Sequence, residues 1–113
     1  MHADAAHAFS LRTVTVSAES VDGSTPGVRV TWSTTAPPEC VASVTVEFRT
    51  TGSSGSVVRS YTTNTSETEV IQTGLQCHTT YYIGVVVNGV APLGTLTNNS
   101  VQVPVGGITS LHV

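Results

Sequence analysis

The chain has 113 residues, enough for one domain at roughly 100–200 residues each and too few for two adequate cores. Only 10% of the residues are charged, none is lysine, and the net charge is −3 at pH 7. That balance offers no basic patch for nucleic acid or an anionic membrane, and no apolar run approaches the roughly 20 residues of a membrane span.

Aromatics are 5% of the chain; valine and threonine dominate instead, a composition that favours strands. Met1 to Ser10 has neither a basic start nor an apolar stretch, so it does not read as a signal peptide. Residues 1–9 and 106–113 read as tails or linkers around one domain at 10–105. Leu11, Val14 and Val16 mark a first strand, ended by Asp22-Gly23 and Pro26-Gly27. Val28, Val30 and Trp32 then alternate with Arg29 and Thr31, giving a strand with one buried and one wet face. Pro37-Pro38 breaks the chain. Val44, Val46 and Phe48 repeat the pattern. Gly52 to Gly55 is a flexible reversal before an edge strand at Val57 to Thr62. Thr68 to Thr73 is another strand, closed by Gly74-Leu75. Tyr81, Ile83, Val85 and Val87 alternate most regularly, up to Asn88-Gly89. Ser100 to Val105 is a last strand, with Pro104 indicating an edge. Seven strands with no helical periodicity predict an all-β, antiparallel two-sheet sandwich. Trp32 belongs between the sheets.

The run Gly74-Leu75-Gln76-Cys77-His78-Thr79-Thr80-Tyr81, with Val28-x-Val30-x-Trp32 and Val44-x-Val46-x-Phe48 before it, resembles a fibronectin type III domain over residues 10–105. The family pattern there is Gly-Leu-x-Pro-x-Thr-x-Tyr, and Cys77 departs from it at the proline place. The stretch from Trp32 to Pro37 is also slightly longer than usual. The resemblance implies the family's immunoglobulin-like sandwich topology. Leu75 and Tyr81 become structural landmarks, the Tyr81 hydroxyl donating to upstream backbone while Tyr82 faces the other way. It further implies extracellular or cell-surface work: a spacer and protein contact in an adhesion or receptor ectodomain, partnered by other proteins or neighbouring modules and monomeric when isolated. An accessory module of a secreted carbohydrate-active enzyme is the alternative. The integrin-binding Arg-Gly-Asp is absent, so that activity is not implied.

The chemistry-bearing residues do not assemble into a reaction site on these strands. Asp4, Glu19, Asp22, Glu39, Glu47, Glu67 and Glu69 form no pair placed to share a pocket. His2, His7 and His112 lie in tails and His78 in a loop; with Cys40 and Cys77 it lacks the spacing of a metal site. No catalysis, metal or cofactor is expected. Asn64 and Asn98 each open an N-glycosylation sequon at a predicted loop or loop edge. In the family topology the loops after the second, fourth and sixth strands cluster at one end: Thr34–Cys40, the region of Asn64, and Gly89–Asn98. The last holds Val90, Pro92, Leu93 and Leu96, either an exposed contact patch or a flap folded over the core. Cys40 and Cys77 leave three arrangements open: an intradomain bridge with altered local topology, a head-to-tail bridge between neighbouring modules, or free thiols. The family topology sets them at opposite ends, which opposes the first.

Overall fold

The alternating segments form strands in the computed structural model, which describes residues 11–21, 25–64 and 67–105. Among the described residues there are seven: β1 (Val14–Val21), β2 (Gly27–Thr34), β3 (Val41–Arg49), β4 (Val57–Thr63), β5 (Glu69–Thr73), β6 (Thr79–Gly89) and β7 (Thr95–Val105). The turn at Asp22-Gly23, the tails, and Thr65 and Ser66 of the first sequon lie outside the described residues.

Two sheets result, ordered β1-β2-β5 and β4-β3-β6-β7, with every pairing antiparallel. Their apolar faces meet. β2 contributes Val28, Val30 and Trp32, β3 Val44, Val46 and Phe48, and β6 Tyr81, Ile83, Val85 and Val87, all buried. The core is therefore an all-β, antiparallel two-sheet sandwich built largely of valine. β-branched side chains suit this surface because their restricted χ1 loses little freedom on a pleated strand.

β7 begins at Thr95, five residues before the predicted Ser100. A register shift explains why alternation missed it. Ile83 pairs with Val101 but Val85 with Asn98, so β7 carries an extra residue opposite Gly84. The polar run Thr97 to Ser100 spans that bulge, and pairing with β6 holds it as strand regardless.

The ladder bonds can be followed outward from two fixed points. Gly89 donates to the Gly94 carbonyl at 2.7 Å, so β6 bonds β7 through its odd residues near that end and β3 through its even ones. β3 then bonds β4 through Val44, Val46 and Phe48, leaving Thr45↔Thr62 and Glu47↔Ser60 as non-bonded pairs. Trp32 donates to the Thr68 carbonyl at 3.0 Å, which makes Thr31↔Glu69 and Arg29↔Ile71 the non-bonded pairs between β2 and β5. The far edges of β4 and β5 both face solvent, and Val58 and Ile71 are among the exposed apolar residues there.

Charge and hydroxyl groups close the remaining seams. Arg29 bridges Glu19 on β1 and Glu69 on β5 across the outer face of the smaller sheet. At that exposure each pair adds about 0–1 kcal/mol. On the side opposite β4 and β5, the Asn98 side chain on β7 donates to the Val14 carbonyl on β1 at 3.0 Å and joins the two sheets.

Candidate functional site

Three connections meet at one end of the sandwich, at 35–40, at Glu67 and Thr68, and at 90–94. Proline shapes the first. Pro37 and Pro38 have no N–H, and Pro38 opens a short 3-10 turn, Pro38–Cys40, that leads into β3. Thr34 anchors its start by donating to the Thr13 carbonyl at 2.8 Å and accepting from the Ala36 N–H at 3.1 Å. Val90 donates to the Cys40 carbonyl at 2.9 Å and ties the third loop to the first. Leu93 closes the third loop on the Val90 carbonyl at 2.9 Å, across a cis Ala91–Pro92 peptide.

A cleft of about 270 Å³ opens between the sheets here, walled by Trp32, Ala36, Pro38, Val41 and Val44. Ser33, Thr34, Glu67 and Thr68 complete its lining. Glu67 is its carboxylate. Tyr61 and Thr63, two apart on β4 and so on one face, both donate to Glu67 Oε1, the tyrosine at 2.8 Å. These hydroxyls hold the Glu67 carboxyl below its usual range, Thr63 contributing most. The carboxylate raises the Tyr61 phenol in turn. A depressed carboxyl pKa stabilises the fold above the unfolded value and ceases to do so as pH falls through the folded one. The link between β4 and the segment before β5 therefore loosens on acidification.

A broader hollow of about 460 Å³ is lined by Leu11, Arg12, Thr13 and Thr35. Its one charged group, Arg12, is turned onto the Thr35 carbonyl at 3.3 Å. Among the described residues it gathers no second charged group.

The residues singled out in the sequence fall into distinct places. Trp32 is buried between the sheets and lines the cleft. Leu75 is buried, after a turn in which Gly74 takes φ +73°, a left-handed conformation that strains any residue with a Cβ. The Tyr81 hydroxyl does return upstream, to Gln76, but as the acceptor of its N–H at 2.9 Å rather than as a donor. Of the apolar loop, Val90 and Pro92 are exposed at the rim, whereas Leu93 packs partly on the core. Leu96 is not a loop residue: it sits in β7 opposite Val87 and is buried.

Asn64 lies in an exposed loop position, as an acceptor requires. Asn98 does not. It lies within β7, its Nδ2 is given to Val14, and its Oδ1 accepts from both the N–H and hydroxyl of Ser100. A glycan would be attached to Nδ2 and so would open the seam between β1 and β7. Folded protein from a secretory host is expected to carry no glycan at Asn98. Glycopeptide mass spectrometry checks this; a substantial occupied fraction at Asn98 in monodisperse protein would contradict it.

Cys40 and Cys77 are unbonded. Cys40 stands beside the Gly89 end of β6, where Val41 pairs with Gly89, and Cys77 stands two residues before Thr79 at its other end. Eleven residues of strand, about 3.3 Å each, put roughly 30 Å or more between them, against a limit of about 7 Å between bridged Cα atoms. The intradomain bridge is thereby excluded. His78 is exposed with φ 56° beside Cys77, far from Cys40. Among the described residues no three His, Cys, Asp or Glu side chains are placed to hold a metal ion.

Sequence reasoning passed over Glu67 as a site residue. The predicted strand stops at Thr62, one residue short of Thr63, and nothing in the local pattern places a carboxylate beside Tyr61 and Thr63. Comparison with family models, curated proteins and solved structures finds no match to this chain.

Proposed function

We propose that this domain is a non-catalytic contact and spacer module, of the fibronectin type III kind, in an extracellular or cell-surface protein. The strand order β1-β2-β5 and β4-β3-β6-β7 carries the reading. It is supported by the Tyr81–Gln76 link at 2.9 Å, which ties the tyrosine to upstream backbone as a tyrosine corner does, with the hydroxyl accepting rather than donating. β1 starts at the loop end, where Val14 pairs with Thr34, and β7 finishes at the other pole, where Val105 pairs with Thr79. Modules with opposite ends for chain arrival and departure can follow one another in line. Pro38, Val90 and Pro92 are exposed at the loop end and give it apolar surface suited to a protein partner.

A photo-crosslinking residue at Pro38 or Val90 tests the contact role against one at Gln76 on the opposite pole. Adducts to a discrete protein from the loop end, competed away by unlabelled domain, are expected. Adducts of equal yield from both poles, or adducts that excess domain does not displace, would count against the reading.

The cysteines fit the same arrangement. The Cys77 pole of one module faces the Cys40 pole of the next, so pairing, where it occurs, runs head to tail. Concentrated isolated domain oxidised by glutathione disulfide is expected to give disulfide-linked oligomers. A bridged monomer, about 2 mass units lighter than the reduced form, would refute the separation argued above.

A further inference from the structure

We propose that this domain bears tension along its length, and that the side chains of Thr34, Thr35 and Asn98 lock the first residues of β1 against it. This function rests on the spacer role above, since a module with chain ends at opposite poles is pulled in line. β1 runs from the loop end, where Val14 pairs with Thr34, to the opposite pole, where Val21 pairs with Gly27. β7 runs the same way, from Thr95 beside Asn88 to Val105 beside Thr79. A pull on the two ends of the domain therefore draws β1 out past the loop end and β7 out past the other pole. Each strand is moved along its own axis, across ladder bonds that lie perpendicular to it. All eight pairs between β1 and β2 then resist together instead of opening one at a time.

The terminal pairs of a ladder ordinarily fray first. Here the entry of β1 is fastened beyond its ladder. Arg12 donates to the Thr35 carbonyl at 3.3 Å, and the Thr13 N–H donates to Thr35 Oγ1 at 2.9 Å. The Thr13 carbonyl accepts from Thr34 Oγ1 at 2.8 Å and from the Thr35 N–H at 3.1 Å. That last bond makes Thr13 and Thr35 a bonded pair and Val14 and Thr34 a non-bonded one, so the Val14 carbonyl faces away from β2. It meets Asn98 of β7, whose side chain donates to it at 3.0 Å. Asn98 thus joins the two strands that tension drives in opposite directions, and its bond is loaded from the first displacement. At the exit, Val103 and Val105 are buried, and the Val105 carbonyl accepts the His78 N–H at 3.0 Å.

Most of the side-chain bonds at the entry are exposed and compete with water, so they add little to equilibrium stability. Resistance to a pull is a different quantity. It is set by the rate of unfolding, and so by bonds that are broken in the transition state. Bonds at the first point to move belong to that class.

The test holds the intact domain at constant force in magnetic tweezers and reads its lifetime. One geometry pulls between the two chain ends. The other pulls between the N-terminal end and a bio-orthogonal handle at exposed Ser33, which pairs with Thr15, so that β1 and β2 are unzipped pair by pair. At equal force the end-to-end lifetime is expected to be about tenfold longer or more. In that geometry Thr35→Val and Asn98→Ala should each shorten it about fivefold, the effect of one hydrogen bond lost at the barrier. Thr35 is exposed, which keeps its variant folded. Thr45→Val removes hydroxyl contacts to Thr62 and Asn88, none of them on a pulled strand, and should shorten the lifetime less than about twofold. Urea melts of the three variants separate a loss under load from a loss of equilibrium stability. Equal lifetimes in the two geometries, or lock variants that act no more strongly than Thr45→Val at matched equilibrium loss, would overturn the proposal. Such a result beside pole-specific crosslinks would leave the contact role standing and remove only the tension role.

Discussion

Replacing Trp32 with alanine is expected to cost about 3–5 kcal/mol. The indole is 6% exposed and is the chain's one tryptophan. It sits on the central strand of the three-stranded sheet and shares the lining of the cleft with Val41 and Val44 of β3. Truncation would lose the transfer free energy of a large aromatic and would also merge its volume with the adjoining cleft of about 270 Å³. Val41 and Val44 form the facing wall of that cleft, and truncation to alanine would deprive them of the indole as a packing partner. Urea melts of the two proteins measure the loss. The same residue reports directly: its emission should be blue-shifted and poorly quenched by iodide. A loss below about 1 kcal/mol, or solvent-like emission from folded protein, would place Trp32 elsewhere.

Tyr81→Phe is expected to cost about 1–3 kcal/mol. The ring is 3% exposed and meets Phe48 edge to face, with centroids 6.5 Å apart and planes at 79°. Phenylalanine preserves that contact, so the change isolates the hydroxyl. The hydroxyl accepts the Gln76 N–H, and its removal leaves a partly buried backbone donor without an acceptor. The next residue is the control. Tyr82 projects to the outer face, is half-buried and pairs with Arg49 and Gln102, so Tyr82→Phe should change stability by less than about 0.5 kcal/mol. Equal losses for the two in denaturant melts would contradict the corner.

The strands were readable where one face is dry. Val28 to Trp32, Val44 to Phe48 and Tyr81 to Val87 alternate because the pleat sends every second side chain into the core. β7 was only half readable, since its bulge and polar run interrupt the period while β6 still supplies hydrogen-bond partners. Asn98 looked like a loop residue for the same reason, and its role as a sheet-to-sheet staple depends on β1 lying alongside, 84 residues earlier in the chain. Leu96 could be read as patch or core; pairing with Val87 decides for core. The cleft was illegible. It is made by residues far apart in sequence, and the carboxylate at its mouth acquires its partners only when the chain returns from β4 toward β5. The cysteine separation was legible once the order of strands was assumed, because a whole β6 lies between the two poles.

The strand order underlies the cleft, the opposed poles and the seam alike, and interstrand Hα–Hα NOEs test it most directly. Non-bonded antiparallel pairs bring Cα atoms to about 4.5 Å and give the strongest such signals. The account predicts them for Thr45–Thr62 and Glu47–Ser60, which put β4 beside β3, and for Thr31–Glu69 and Arg29–Ile71, which put β5 beside β2. Hα–Hα NOEs joining β4 to β5 instead would move β4 into the other sheet and contradict the fold described here.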